Sequence, residues 1–207
     1  MNKNLVILIC LLLSPTICLG FDNEPDQFRG LKWGESLAGH GDFFLSDVDE
    51  IGRKVDFTES NPHSKIYKRK NDKHLIGKAE INDIFYKLYN DKLYYVRINY
   101  DTAKSYKLLY QTLLELHGKP DFTDDQGYTR WKEWRGRDIN ITLSYAQLMF
   151  QGRIIKIIGF IDYEFIPVSK EYSSDLESYY REEDEKLRKQ RKEQSKKTAK
   201  EAEKDLY

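Results

Sequence analysis

The stretch that decides the fold is residues 78–120, KAEINDIFYKLYNDKLYYVRINYDTAKSYKLLYQTLLELHGKP. On both sides of Asn90-Asp91, apolar and aromatic side chains recur at every second position. This period of two, with many aromatic and β-branched residues around a short polar pair, is typical of a β-hairpin with a two-residue turn. The sequence therefore predicts two antiparallel strands in the first half of the stretch.

The second half of the same stretch predicts a helix over residues 102–117. Its apolar side chains recur at helical spacing, so that one stripe of the helix is apolar. Asp101 is the predicted N-cap, because its side-chain oxygen can accept from the first free amide groups. Gly118 can adopt the left-handed C-cap conformation, and Pro120 prevents the helix from continuing. The whole stretch is thus a β-β-α unit in which a sheet face packs under one helix.

Further strands are predicted on both sides of this unit. Basic residues flank residues 64–69, which favours an exposed edge strand, and residues 154–160 are apolar on both faces, which favours a central strand. Strands joined by short turns with one internal helix indicate an α+β fold with a mostly antiparallel sheet, over residues 21–168. The predicted additional strands are residues 28–33, 42–45, 54–57, 64–69, 128–134, 138–145 and 153–165.

The first twenty residues have the three parts of a secretory signal peptide. Lys3 supplies a positive start, residues 5–13 are an unbroken run of nine apolar residues, and Cys18 and Gly20 place small residues before a cleavage site. Such a run is too short for a permanent membrane span, which needs about 20 residues. We expect residues 1–20 to be removed and the protein to be exported, either to the periplasm or out of the cell; an uncleaved N-terminal anchor is the alternative.

Cysteine usage and charge exclude several classes of function. Cys10 and Cys18 both lie in the predicted signal peptide, so the exported chain has no thiol for a disulfide, a nucleophile or a metal site. Removing Lys3 from 34 basic and 34 acidic residues leaves 33 and 34, a net charge of −1. Because nucleic-acid binding relies on a basic surface, this balance predicts no nucleic-acid partner.

Residues 169–207 predict a separate, highly charged helix. Eleven acidic and eleven basic residues fall in this segment, which contains neither Gly nor Pro. Leu176, Tyr179 and Tyr180 keep helical spacing and are predicted to dock on the domain, but after Leu187 almost no large apolar residue remains. We expect the distal helix to be held by i,i+4 charge pairs and to project into solvent as an arm that contacts a protein partner.

The histidines do not indicate a metal site. They are dispersed along the chain, whereas metal ligands must be clustered, so each is predicted to have a structural or surface role. The four are His40, His63, His74 and His117.

One acidic loop has part of the pattern of a calcium site. Asp47, Asp49 and Gly52 occupy the first, third and sixth positions of the EF-hand spacing, but Ile51 stands at the fifth and Thr58 at the twelfth, where a bidentate Glu is needed. We interpret the segment as a polar surface loop, with calcium binding as the alternative.

No motif names a reaction. The chain contains no Gly-x-Ser-x-Gly elbow and no glycine-rich phosphate loop, and its acidic residues are too evenly spread to select a catalytic pair. The sequence therefore predicts no catalytic residue, no cofactor and no metal.

Several short segments spread along the chain form a loose pattern: Arg29-Gly30, Trp33-Gly34, residues 65–69 (KIYKR) followed by LIG at residues 75–77, Tyr95-Val96, the GKP that ends the predicted helix, and the Trp131 strand. In this pattern the chain resembles a set of small, uncharacterised exported proteins of bacteria over residues 28–165. The resemblance implies an envelope location and a compact α+β domain; the family has no known activity, so no functional residue is implied.

Two classes of function follow from these observations. We expect a non-enzymatic envelope protein that binds or helps assemble a partner, because the chain has aromatic and charged surface candidates without a catalytic constellation. The alternative is a hydrolase-like enzyme whose carboxylates meet only in the fold. A flat apolar surface would favour the first class, and a pocket with convergent titratable side chains would favour the second.

Overall fold

The computed structural model describes residue 21 and residues 23–53 and 63–204, with side chains as far as residue 196. This part of the chain is α+β, with two helices and a large antiparallel sheet, 42% strand and 28% helix, which confirms the predicted fold class. The helices are α1 (Ala103–His117) and α2 (Ile166–Lys204). The strands are β1 (Gln27–Phe28), β2 (Leu31–Lys32), β3 (Phe43–Leu45), β4 (Ser64–Arg69), β5 (Leu75–Ile76), β6 (Ala79–Glu80), β7 (Asp83–Tyr89), β8 (Lys92–Tyr100), β9 (Phe122–Asp124), β10 (Thr129–Arg135), β11 (Ile139–Phe150) and β12 (Arg153–Phe165).

The chain divides into two compact units. The first contains the described residues before Gln27, together with His74–Asn82 and Asn99–Tyr163. The second contains Gln27–Lys73, Asp83–Ile98 and the chain from Glu164 onward. The first unit holds α1 and the second holds α2, so each combines strands with a helix. Of the described helices, neither is both long and apolar enough to span a membrane.

In the first unit, β12, β11, β10 and β9 lie side by side in that order. Ile139, Ile141 and Leu143 of β11 are at most 1% exposed, while the residues between them are less buried. This alternation is that of a strand with one buried face, and it confirms the strand predicted at residues 138–145. The short strand β9, which no pattern in the sequence predicted, pairs antiparallel with β10.

The ends of α1 are capped by local hydrogen bonds. Thr102 is the N-cap and its hydroxyl oxygen accepts from Ser105 N at 3.0 Å, so the prediction of Asp101 was wrong by one residue. Both side chains are good caps. At the other end Gly118 is the C-cap, as predicted, and donates its N–H to Leu114 O at 3.0 Å; its φ of +75° is positive, but its ψ of −159° lies outside the left-handed helical region.

The core of the first unit lies between α1 and the sheet. Leu109 and Leu113 of the helix are buried at 0% and 2% exposure, and Trp134 of β10 is fully buried. The Trp134 indole N–H donates to Gly118 O at 2.9 Å. A buried indole needs such an acceptor, so the helix end and β10 are held together by a hydrogen bond as well as by packing.

In the second unit, β3, β4, β7 and β8 lie side by side in that order. The predicted β7–β8 hairpin is confirmed, with Asn90 and Asp91 at φ +49° and +58°, the conformation of a two-residue hairpin turn. The prediction that residues 64–69 form an edge strand was wrong, because β4 pairs with β3 on one side and β7 on the other. The short strand β3 occupies the position beside β4 that we predicted to be an exposed edge.

The opening segment of the second unit is a miniature hairpin. Residues 28–33 were predicted as one strand, but β1 and β2 pair antiparallel across Arg29-Gly30. Both turn residues have positive φ, +51° and +84°, which reverses the chain within two residues. The predicted strand at residues 54–57 lies outside the described residues.

Helix α2 begins at Ile166, three residues earlier than predicted, with Pro167 inside its first turn. Proline is tolerated there because the first helical amides have no intrahelical acceptor. Val168, 5% exposed, and the partly buried Tyr172 pack with Tyr89 and Tyr94.

The predicted docking residues Tyr179 and Tyr180 are instead 51% and 63% exposed. They lie two turns beyond Tyr172, past the part of the helix that packs on the strands. Every described side chain from residue 184 to 196 is exposed. The helix therefore docks through its first turns only.

Candidate functional site

The end of the β11–β12 hairpin exposes a group of large apolar side chains. We call residues 148–158 the hairpin tip. Soluble domains bury most such side chains, and a contiguous exposed group of them marks an interaction site. The exposed members are Leu148 (44%), Phe150 (61%), Ile154 (51%), Ile155 (64%) and Ile158 (43%).

Residues 154–160 lie in a central strand, as predicted, because β12 has a hydrogen-bonded strand on each side. The burial on both faces that the apolar run indicated is wrong, since only Gly159 within it is buried. On the β11 side of the hairpin, β10 ends opposite Ala146 at Thr129, and Gln147 N donates to Tyr128 O at 3.0 Å. Beyond that point the hairpin extends past β10 by three residues on β11, about 10 Å.

The turn of the hairpin fixes which side chains share a face. Gln151 and Gly152 have φ +49° and +75°, the conformation of a two-residue turn that places Phe150 opposite Arg153. Because side chains directly across an antiparallel pair lie on the same face, Leu148 faces Ile155 from the neighbouring strand.

Both faces of the hairpin tip are therefore apolar, and each carries one cation. Leu148, Phe150 and Ile155 share a face with Arg153; Ile154 and Ile158 share the other face with Lys156. Residues 139–161 contain no Asp or Glu. The hairpin tip thus combines apolar contact area with a purely positive charge.

The base of the hairpin is fixed by packing in the first unit. The Tyr100 hydroxyl donates to Ser144 O at 2.5 Å, and burial raises the pKa of Tyr100, so the phenol stays a neutral donor. A Cβ added at Gly159 would overlap the Tyr100 ring, which shows how closely β12 approaches that ring. Ile161, fully buried, continues the same strand into the core. The apolar end is thus carried on a rigid support.

A second candidate site is a cleft of about 380 Å³ in the second unit, beside the β7–β8 turn and α2. The Tyr89 hydroxyl donates to the Asp175 carboxylate, and burial, followed by this hydrogen bond, raises the pKa of Tyr89 to about 12. Apart from Tyr89, every lining residue is exposed, so the cleft is open to solvent. The lining residues are His63, Tyr89, Asn90, Asp175, Ser178, Tyr179 and Glu182.

The cleft brings together titratable groups that no pattern in the sequence connects. His63 lies edge-on to the Tyr89 ring with centroids 6.3 Å apart, and Asp175 and Glu182 lie two helical turns apart on the same face of α2. The Asp175 carboxylate already accepts the hydrogen bond of the Tyr89 hydroxyl, and water reaches the other titratable side chains of the cleft. An open surface of this kind provides little of the water exclusion on which acid–base sites rely.

The other histidines lie apart from one another. The His40 ring contacts Phe43 edge-on, with centroids 6.1 Å apart, and His74 Nδ1 lies 3.3 Å from Ile81 O. His117, 6% exposed, contacts the Phe21 ring at 5.1 Å between centroids. Among the described residues, no group of three or more His, Cys, Asp or Glu side chains is arranged to hold a metal.

The acidic loop that resembles a calcium site uses its carboxylate internally. Asp49 accepts hydrogen bonds from Ile51 N at 3.1 Å and Arg53 N at 2.8 Å, and from the Arg53 guanidinium at 2.7 Å. Thr58, at the twelfth position, lies outside the described residues. The described part is a surface turn in which the Arg53 guanidinium faces Asp49.

Comparison with known proteins adds no relative: no family model, no curated protein and no solved structure matches the chain.

Proposed function

We propose that this is a non-enzymatic protein of the bacterial envelope that binds or helps assemble a partner. The observation that carries the proposal is the hairpin tip, where five large apolar side chains are between 43% and 64% exposed. Leaving them in water forgoes the burial free energy that such residues usually gain, roughly 1.5–3 kcal/mol for each fully buried side chain. A bound partner would recover part of it. The envelope location rests on the predicted signal peptide.

The rigid base of the hairpin supports a role in recognition. A preorganised surface loses little conformational entropy on binding, and here Tyr100 and Ser144 hold the strands that carry the tip. The exposed residues are also large: isoleucine, leucine and phenylalanine each provide a large apolar contact area. These properties fit binding without requiring any reaction at the site.

The projecting part of α2 supports a second contact, with a protein partner. Tyr179, Tyr180 and Leu187 are 51%, 63% and 49% exposed on a helix whose other distal side chains are mostly charged. Pairs such as Arg188–Asp184 at 3.0 Å stabilise the helix locally. An amphipathic helix of this kind can lay its sparse apolar stripe on a groove or on another helix.

A hydrolase-like enzyme is the competing proposal, and the cleft with His63, Asp175 and Glu182 favours it. It is less well supported than binding, because these side chains are exposed and the Asp175 carboxylate already accepts the Tyr89 hydrogen bond. A hydrolytic role would predict that Asp175→Asn or Glu182→Gln abolishes turnover of some substrate.

Affinity capture of the exported protein from its native envelope tests the proposal. We expect a specific component to co-purify with the wild type and to be lost from the double variant Phe150→Ser/Ile155→Ser. Leu75→Ser, which changes another exposed apolar residue at 54% exposure, is the matched control and should retain it. If nothing specific co-purifies while a hydrolase substrate screen shows turnover that Glu182→Gln removes, the enzyme proposal replaces this one.

A further inference from the structure

We propose that the partner of the hairpin tip is an anionic lipid surface. The inference rests on the proposed binding function and names the chemical class of what is bound. It draws on three features of the tip: its charge, the distribution of its apolar side chains over two faces, and the polarity of its turn.

The charge of the tip selects an anionic partner. Arg153 and Lys156 are both exposed, and residues 139–161 contain no acidic side chain that would neutralise them. A basic residue near a negatively charged membrane is attracted to it, and the attraction weakens as salt screens it. The hairpin tip can therefore bind lipid phosphate groups through its two cations and acyl chains through its apolar side chains.

The two-sided arrangement favours an environment that surrounds the ribbon. Phe150 and Ile155 lie on one face of the hairpin tip, whereas Ile154 and Ile158 lie on the other. A flat protein surface would cover one face and leave the other in water. The interfacial layer of a bilayer can contact both faces of a narrow ribbon that enters it, because lipids rearrange around the inserted side chains.

The polar turn limits how deep the tip can go. Gln151, Gly152 and Arg153 form the end of the hairpin, and none of them is suited to the hydrocarbon core. Arg and Lys can place their aliphatic stems on apolar surface while their charged ends stay among headgroups. Tyr128, 58% exposed at the base of the tip, is an aromatic type that favours the membrane interface. These residues indicate peripheral binding at headgroup depth.

A second copy of the chain fits the tip less well. In a symmetric dimer the same patch meets itself, so Arg153 and Lys156 of one hairpin would lie beside those of the other, without an acidic residue on the hairpin to pair with them. Like charges brought together in this way oppose association.

Co-sedimentation with vesicles tests the inference. The exported protein, as purified from the envelope, is mixed with vesicles of phosphatidylglycerol and phosphatidylcholine in equal parts, and separately with phosphatidylcholine alone. We expect binding to the first and much weaker binding to the second, with added salt reducing the first. Neutralising both cations in Arg153→Gln/Lys156→Gln should weaken partitioning about 30-fold, and Phe150→Ser/Ile155→Ser should weaken it on the order of tenfold or more.

Matched controls separate the tip from the rest of the protein. Lys189→Gln/Lys192→Gln removes two exposed cations from α2 and should bind as the wild type does, as should Leu75→Ser. All variants share one N-terminus, so any contribution of that segment cancels in the comparison. Circular dichroism checks that each variant keeps its fold.

The outcomes distinguish this inference from the proposed function. Equal binding to both vesicle types, or tip variants that bind like the wild type, overturns the lipid inference. If vesicle binding is absent but envelope capture yields a protein that Phe150→Ser/Ile155→Ser loses, the partner is a protein and only the lipid inference falls. If the tip variants change neither vesicle binding nor capture, the proposed function falls with it.

Discussion

Two truncations of α2 should have very different effects on stability. Deleting residues 170–207 removes Tyr172 and Asp175, which contact the strands of the second unit, whereas deleting residues 188–207 removes only the projecting part. We expect the shorter deletion to leave the free energy of unfolding within about 0.5 kcal/mol of the wild type, as for changes at exposed sites.

The cost of the longer deletion follows from its lost contacts. The Tyr172 ring lies 5.2 Å from the Tyr89 ring and 5.4 Å from the Tyr94 ring, between centroids, and each aromatic pair contributes about 0.5–1.5 kcal/mol. The Tyr89 hydroxyl also loses its Asp175 acceptor; because the deletion opens this hydroxyl to water, the loss is that of an ordinary hydrogen bond, about 0.5–1.5 kcal/mol. The longer deletion should therefore cost roughly 1.5–4.5 kcal/mol.

Urea denaturation followed by circular dichroism measures both truncations. Tyr172→Ala in the full chain is the point control: it should reproduce the aromatic part of the loss, about 1–3 kcal/mol, without shortening the helix. If deleting residues 188–207 destabilises the protein as much as deleting residues 170–207, the distal helix is packed structure and the reasoning about a projecting arm is wrong.

Three further changes test the fold. Gly159→Ala should cost about 1–3 kcal/mol in urea denaturation, because its Cβ would overlap a buried aromatic ring, whereas Gly41→Ala, whose Cβ meets nothing, should be nearly neutral. Glu24→Ala should cost about 1.5–3 kcal/mol, since that carboxylate accepts from three backbone N–H groups at the β10–β11 turn; an unchanged urea midpoint would contradict this. The hydrogen bond from Arg69 lowers the pKa of Asp42 below its ordinary 3.8, so the pair stabilises the fold above that pH and the stabilisation is lost as pH falls through the lower folded value. Asp42→Asn should therefore flatten the dependence of the urea midpoint on pH in this acidic range, and an unchanged slope would show that the pair contributes nothing.

The hairpin and helix of residues 78–120 could be predicted because their determinants are local. Alternation on both sides of Asn90-Asp91, a helical stripe and the glycine at position 118 act within a few residues of one another. The one-residue error at the N-cap arose where two suitable side chains, Asp101 and Thr102, are adjacent. The choice between them depends on how the chain leaves β8, which no local pattern reports.

The exposure of the hairpin tip could not be predicted because burial of the two faces of a strand depends on what packs over them. The apolar residues after Gly152 were visible in the sequence, and β12 has a strand on each side, yet most of their side chains are exposed. Which distant segment covers a sheet face is a long-range property. The same limit explains why β4 was predicted as an edge: its lysines and arginine suited one, but β3 pairs beside it.

The cleft is also a product of distant segments. His63 and Tyr89 lie far from Asp175 in sequence, and α2 brings them together by docking through Val168 and Tyr172. The absence of cysteine from residues 21–207 and the balanced charge narrowed the classes of function. Neither property indicates which surface of the protein binds a partner. The positive, acid-free run around Gln151 was the one signal in the sequence that could have singled out the tip.

Photocrosslinking in the native cell tests most directly whether the hairpin tip is the binding surface. A photoreactive phenylalanine analogue at position 150, where the side chain is 61% exposed, is compared with the same analogue at position 75, where it is 54% exposed. The proposed function predicts that the analogue crosslinks to an envelope component at position 150 and not at position 75. If the partner of the hairpin tip is an anionic lipid surface, the crosslinked component is lipid. Equal crosslinking at the two positions, or none at position 150, would contradict it.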